Sequence, residues 1–330
     1  MDELMKRRLF WKVYLREHRL PAFAREYLNS LNDLSLSTRY EYIKDLELFL
    51  EHIIRSDLVE KKFIFHLDPG DLAVVKEENI RDFLHQLTRY EREYTTRSGR
   101  RTTQEFKNGP RGKERKRVVL YNLFRYLIEQ GHLKRNPMEG FRIPVDKISA
   151  KPVLTRYDLN RMLEVALHNN PDEFRAWRNY VILKLLAYTG IRIGELVALN
   201  VEDIWRERDE MMVTRIDGEG DVLLIPPVVR EDLYHYLDMR LKIENIQKGH
   251  QNALFLSQQM RRMDPKSVRK MIKKVGVQAG VRIPVTPQTF RKSCGRWQYE
   301  KTGDVRKAAE LLGYRSVQAF RQAVLGKKEY

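Results

Sequence analysis

The residues best equipped for chemistry in this 330-residue chain are cations, and they fall into two blocks. Residues 261–330 hold 18 Lys+Arg against 5 Asp+Glu, and residues 81–150 hold 17 against 8, within a formal net charge of +17. The remainder is mildly acidic, so the positive excess is placed rather than diffuse. Clustered Lys and Arg bind polyanions because each phosphate they neutralise releases condensed counterions. Two separated blocks therefore point to two surfaces on one nucleic acid. The candidate contacts are Arg101, Arg111, Lys113 and Arg115 in the polar stretch 95–117, and Arg261, Lys266, Arg269 and Lys270 in and just before the basic segment DPKSVRKMIKKVGVQAG. The competing interpretation is a set of solvated helix faces that aid solubility.

Other chemistry-bearing types are sparse. The single cysteine, Cys294, excludes an internal disulfide and fits a reducing cytoplasm. It has no metal-ligand partners at useful spacing and reads as a buried structural thiol, so no metal and no cofactor are expected. Arg192 has Glu195 and Glu202 within reach for a structural ion pair. The aromatic residues Trp177, Tyr180 and Tyr188 read as core. The N-terminus lacks the apolar run of a signal peptide, and no stretch of about 18 apolar residues marks a membrane span. The chain is expected to be cytoplasmic, with no membrane partner.

The elements that must position these cations are mainly helical. PAFAREYLNSLNDLSLSTRYEYIKDLELFLEHI reads as a helical hairpin with Ser37 or Thr38 as N-cap, followed by helices over 76–90 and 115–130. Residues 95–117 read as an exposed loop or helix start, which makes the first domain, residues 1–139, all-helical. NPMEGFRIPVDKISAKPV, with three prolines, marks a linker over 140–152. In the second domain, residues 153–330, Thr155 caps a helix, and MMVTRID and DVLLIPP form a hairpin around Gly218, Glu219 and Gly220. The fold class is thus mainly α with a small β-sheet, α+β, in two domains.

LLAYTGIRIGELVALNVEDI at 185–204 resembles the first box of the tyrosine recombinase, or phage integrase, family. The hairpin, ALFLS, TPQTFRKSCGRW and ELLGYRSVQAF continue the resemblance in order, and RVVLYNLFRYLIEQGHLKRNPMEGFRIP is similar to the family's core-binding domain and its exit. It implies a helical core-binding domain followed by a catalytic-type domain, with double-stranded DNA as partner. It also implies that Arg192 and Arg291 clamp a phosphate, since guanidinium groups neutralise charge at non-bridging oxygens. Four positions depart from the pattern. Glu219 stands where the family has its lysine acid, Gln288 replaces a histidine, Tyr314 takes the later histidine or tryptophan place, and Ala323 occupies the nucleophile position. Lys292 follows Arg291 where histidine is frequent, and Arg315 follows Tyr314.

These departures lead to the expectation of a non-catalytic homologue retained as a sequence-specific DNA-binding protein, a transcriptional repressor of a phage or mobile element similar to the integrase-like repressors of SPβ-like phages. Two alternatives stand beside it: an active recombinase using an unconventional nucleophile, with Tyr330 as one candidate, and an accessory protein that modulates recombination. With only seven residues after Ala323, the chain is expected to be a monomer in solution, pairing if at all on DNA.

Overall fold

The computed structural model describes residues 3–31, 34–95, 99–143, 152–215, 218–314 and 316–326. The chain divides into two compact units, Met1–Lys147 and Ile148–Tyr330. Most of the expected linker, residues 144–151, lies outside the described residues, as do Arg315 and Tyr330.

The first unit contains α1 (Glu3–Glu17), α2 (Ala22–Ser30), α3 (Leu36–Arg55), α4 (Glu77–Gln86), the strands β1 (Arg89–Thr95) and β2 (Arg101–Lys107), and α5 (Pro110–Glu129). Its core is built from helical stripes: Ile43, Leu46, Phe49, Leu50 and Ile53 of α3 meet Val119, Leu120, Leu123, Phe124 and Leu127 of α5. Each such fully buried side chain contributes roughly 1.5–3 kcal/mol. The cap of α3 is Ser35, whose hydroxyl accepts from the Thr38 N–H at 3.2 Å, so Ser37 and Thr38 lie inside the helix. The expectation of an all-helical unit fails over residues 89–107. There β1 and β2 pair antiparallel from Arg89↔Lys107 to Thr95↔Arg101, with Tyr90 stacked on Phe106 at 5.4 Å. A two-stranded ribbon without a buried face has no apolar alternation, and alternating charge hides its β-formers Tyr, Thr and Phe.

The second unit contains α6 (Arg156–His168), α7 (Glu173–Tyr188), α8 (Ile193–Ala198), β3 (Ile204–Trp205), β4 (Glu210–Thr214), β5 (Gly220–Leu224), α9 (Pro227–Leu241), α10 (Pro265–Gln278), α11 (Pro287–Thr302), α12 (Val305–Leu311) and α13 (Val317–Phe320). The strands form an antiparallel sheet in the order β3-β4-β5, in which the short β3 joins the expected hairpin. Local chemistry sets the helix starts. Thr155 and Asp158 make a reciprocal capping box on α6, Asp264 accepts from Ser267 N–H at 2.8 Å ahead of Pro265 in α10, and Thr286 caps α11 ahead of Pro287. The helix α7 is buried on most sides, and Trp177, Tyr180 and Tyr188 pack against the main cluster as partly buried groups. A satellite cluster joins Cys294 of α11 to Ala308, Leu312, Phe320, Val324 and Leu325, with Ala323 packed against it. After α13 the chain winds into a π-turn, Arg321–Leu325, closed by Gly326 N–H donating to Arg321 O at 3.0 Å. The mainly helical class with small antiparallel sheets is the one expected from the sequence. Among the described residues no helix is long and apolar enough to cross a membrane.

Candidate functional site

The site begins where α7 stops. Thr189 returns its hydroxyl to Leu185 O at 2.7 Å, and Gly190 turns the chain at φ +63°. A Cβ at Gly190 would come within 2.1 Å of Leu312 Cδ2, so both the backbone angle and the space require glycine. Two residues later Arg192 caps α8. The buried carboxylate of Glu195 accepts from Arg192 N–H at 2.8 Å with one oxygen and from its guanidinium at 2.8 Å with the other. The ion pair with Glu195 expected from spacing is therefore present, and Glu202 takes no part in it.

Arg291 arrives from α11 and is 5% exposed. Its guanidinium donates to Gly190 O at 2.5 Å and to Leu312 O, while Arg192 donates to Gly313 O at 3.2 Å. The two arginines thus hold the successive carbonyls of Leu312 and Gly313, just before Tyr314. The Arg291 guanidinium lies 5.2 Å from the Tyr314 ring centroid, and that ring meets Phe320 edge-on at 5.6 Å. Burial pushes the pKa of Arg291 down, and the positive charge of Arg192 adds to the effect. Arg192, Arg291 and Tyr314, far apart in sequence, share one place.

The hairpin contributes a residue that motif spacing does not single out. Arg215, just after β4, donates to Glu195 Oε2 at 3.2 Å and to Asp221 at 2.9 and 2.5 Å. Nothing local in the sequence signals this role, because it depends on Glu195, twenty residues earlier. Glu219 itself is exposed in the turn, and its carbonyl accepts from Arg215 N–H at 2.8 Å. Gln288 is exposed in the first turn of α11, Lys292 is buried one residue past Arg291, and Ala323 sits half-buried in the π-turn. Cys294 is buried behind the site, its thiol pushed up to about 12 by burial, which leaves it unreactive.

The remaining candidates divide by environment. In the second unit, Lys266, Arg269, Lys270, Lys273 and Lys274 are exposed on α10, which contains no acidic residue and buries Val268, Ile272 and Val275 on its other side. Arg261 precedes this helix and bonds Gln259. In the first unit Arg101 lies exposed on β2 and Arg111 exposed in the first turn of α5, while Lys113 donates to Thr88 Oγ1 at 2.6 Å. Arg115 is drawn inward: it pairs with Glu41 at 3.1 Å and with buried Asp45 at 3.0 Å, beside Lys116 at 3.1 Å from the same carboxylate. It ties α5 to α3 and is the least available of the four to a ligand.

The family model of the Phage integrase family matches residues 152–322. Among curated proteins, Tyrosine recombinase XerC of Alcanivorax borkumensis is 30% identical over 213 residues, 63% of this chain and 67% of that protein. Tyrosine recombinase XerC of Salmonella typhi is 29% identical, over 62% of this chain and 66% of its own length. The chain thus spans about two thirds of the curated relatives it matches. The fold is shared with a lambda integrase dimer bound to a COC' core site, at a TM-score of 0.65 and 17% identity over 94% of this chain and 78% of that one. It is also shared with XerH bound to difH substrate in a pre-cleavage complex, at 0.63 and 18% over 98% and 94%. These relatives correct one expectation. Glu219, Gln288 and Ala323 led to a non-catalytic homologue, yet the curated proteins that this chain matches are named as recombinases. Substitutions at those three positions leave Arg192 and Arg291 together, with Tyr314 beside them.

Proposed function

This chain belongs to the phage integrase family, and from that premise we propose that it is a site-specific DNA recombinase. It binds double-stranded DNA, holds one phosphodiester between Arg192 and Arg291, and breaks and rejoins the strand there. The observation that carries this reading is the state of Arg291. A buried guanidinium is costly without a counter-charge, yet its backbone hydrogen bonds go to two carbonyls and no described carboxylate lies within ion-pair distance, Glu195 acting on it only from farther off. With Arg192 beside it, the pair supplies geometry and charge for a phosphodiester, and charge that develops on the phosphoryl oxygens during in-line attack is stabilised by the same donors.

The attacking hydroxyl comes from a tyrosine outside position 323. Tyr314 is the candidate beside Arg291, and Tyr330, outside the described residues, is the other. Attack forms a phosphotyrosyl bond that conserves the energy of the broken phosphodiester for rejoining. The helical first unit and the basic face of α10 serve as duplex-binding surfaces that fix the register. The test is incubation of the whole protein with a nicked suicide duplex carrying its site, followed by denaturing electrophoresis. A covalent adduct is expected, lost in either Tyr314→Phe or Tyr330→Phe according to which residue attacks. An adduct that survives both substitutions together would overturn the assignment of the nucleophile.

A second reading, transcriptional repression through occupancy of the same DNA, is favoured by one observation. Ala323 packs into the satellite cluster with Phe320 and Val324, so the place that the family gives to a reactive tyrosine serves packing here. A repressor would use the same clamp in its ground state. Lowered transcript from a promoter that carries the bound site would favour it.

A further inference from the structure

The family's hairpin lysine has no counterpart at Glu219, but the hairpin still delivers a cation. Arg215 extends from the end of β4 with its side chain only 13% exposed, and Glu195 receives both Arg192 and Arg215 on its two oxygens. Its guanidinium lies over Gly313: a Cβ built there would be 3.7 Å from both Cζ and Nη2 of Arg215. Gly313 is the residue whose carbonyl Arg192 holds, and Tyr314 follows it. Arg215 therefore borders the same space as the two clamp arginines.

Three guanidiniums, Arg192, Arg215 and Arg291, gather there, and the ion pairs of the first two go to two carboxylates, Glu195 and Asp221. The carboxylates differ in hold. The Glu195 side chain is 2% exposed and locked between Arg192 and Arg215, whereas that of Asp221 is 48% exposed at the open end of the hairpin. The contact of Arg215 with Asp221 is the shorter of the two, 2.5 Å against 3.2 Å to Glu195, but it is the solvent-screened one, within reach of an incoming anion that can replace it.

We propose that Arg215 is a third phosphate-contacting residue of this site, exchanging Asp221 for a non-bridging oxygen of the DNA backbone when duplex is bound. The proposal rests on the reading of Arg192 and Arg291 as a phosphate clamp. Arg215 stays charged throughout and cannot hand a proton to a leaving group, so its contribution is charge and hydrogen bonding alone. The planar fork also serves two acceptors at once, which lets it keep Glu195 while it changes the other partner.

The experiment measures binding of the full chain to a 30-base-pair random-sequence duplex by fluorescence anisotropy over a salt series. The random duplex reads phosphate contacts without base recognition. Arg215→Gln should weaken binding about tenfold near 0.1 M salt and make the slope of log affinity against log salt shallower by about one unit, and Arg215→Lys should restore most of both. Asp221→Asn should tighten binding severalfold, and this gain should vanish in the Arg215→Gln/Asp221→Asn double variant, because the released group is Arg215. If Arg215→Gln is folded and keeps wild-type affinity and slope while Arg192→Gln loses a unit, Arg215 is a structural partner of Glu195 and the proposal falls alone. A gain from Asp221→Asn that persists in the double variant overturns it even where Arg215→Gln is poorly folded. Wild-type protein with no salt-dependent duplex binding would remove the clamp reading itself, and this inference with it.

Discussion

Replacing Arg291 by methionine separates the two roles that its geometry gives it. The guanidinium satisfies the buried carbonyls of Gly190 and Leu312. Methionine fills much of the volume and leaves both acceptors without donors, at about 1–3 kcal/mol each. Against this stands relief from holding a charge in a buried place, the same cost that lowers the pKa of Arg291. The net expectation is a loss of about 2–4 kcal/mol, which in a unit of this size lowers the melting temperature on the order of 10 °C. Arg192→Met supplies the contrast. Its Glu195 partner keeps Arg215 at 3.2 Å, and the carbonyl it releases belongs to exposed Gly313, which water can reach. That variant should lose about 1 kcal/mol while losing duplex affinity and about one unit of salt slope as Arg291→Met does. Thermal unfolding by circular dichroism, paired with duplex titrations below the lower melting point, reads both quantities. If Arg291→Met melted with the wild type, or no earlier than Arg192→Met, the claim that Arg291 binds the last segment to the α7–α8 turn would be wrong.

Gly190→Ala should destabilise the second unit by about 3 kcal/mol, because its Cβ meets Leu312 Cδ2 at 2.1 Å and its φ is +63°; a normal melting curve would refute the close approach. The triple change Lys266→Ala, Lys270→Ala and Lys273→Ala on α10 should make the salt slope of duplex binding shallower by two to three units with little effect on melting, and an unchanged slope would remove this face from the DNA interface. Asp264→Ala should cost about 1 kcal/mol at pH 7. Burial pushes the Asp264 carboxyl up, but hydrogen bonds from Ser267 outweigh it and hold it below its ordinary value. A depressed folded pKa stabilises above the unfolded value and ceases to do so as pH falls through the folded one, so the gap between wild type and variant should close progressively below about pH 4. Urea titrations at pH 7 and pH 3 check this, and a gap of equal size at both would contradict it.

Much of the second unit is legible in the sequence because its cues are local. Thr155 with Asp158, Asp264 before Pro265, and the glycines of the β4–β5 turn announce their elements through short-range hydrogen bonding and backbone angle. Arg192 and Arg291 were located by motif context, and the geometry brings them to one place. What escaped depends on contacts at long range. Arg215 matters through Glu195, twenty residues away, and nothing in its neighbours marks it. Arg115 looks like one more exposed cation in a basic stretch, yet its partners Glu41 and Asp45 lie on a helix some seventy residues earlier. The β1–β2 ribbon escaped because strands without a buried face leave no apolar period to detect.

The π-turn at Arg321–Leu325 has a meaning in terms of chain length. A turn closed from residue i to i+5 holds one residue more than an α-turn between the same two ends, so it is how a helix absorbs a single-residue insertion without displacing what lies on either side. Assigning Ala323 to an equivalent position by residue count assumes regular helical winding after Val317, and that winding ends at Arg321. Insertions and deletions therefore weigh differently here from substitutions. Removing one residue within 321–325, such as Gln322, would convert the π-turn to regular helix and leave the residues on either side in place. A stretch that looks like a poor match at one aligned position is, by this geometry, a place where the alignment itself can slip by one.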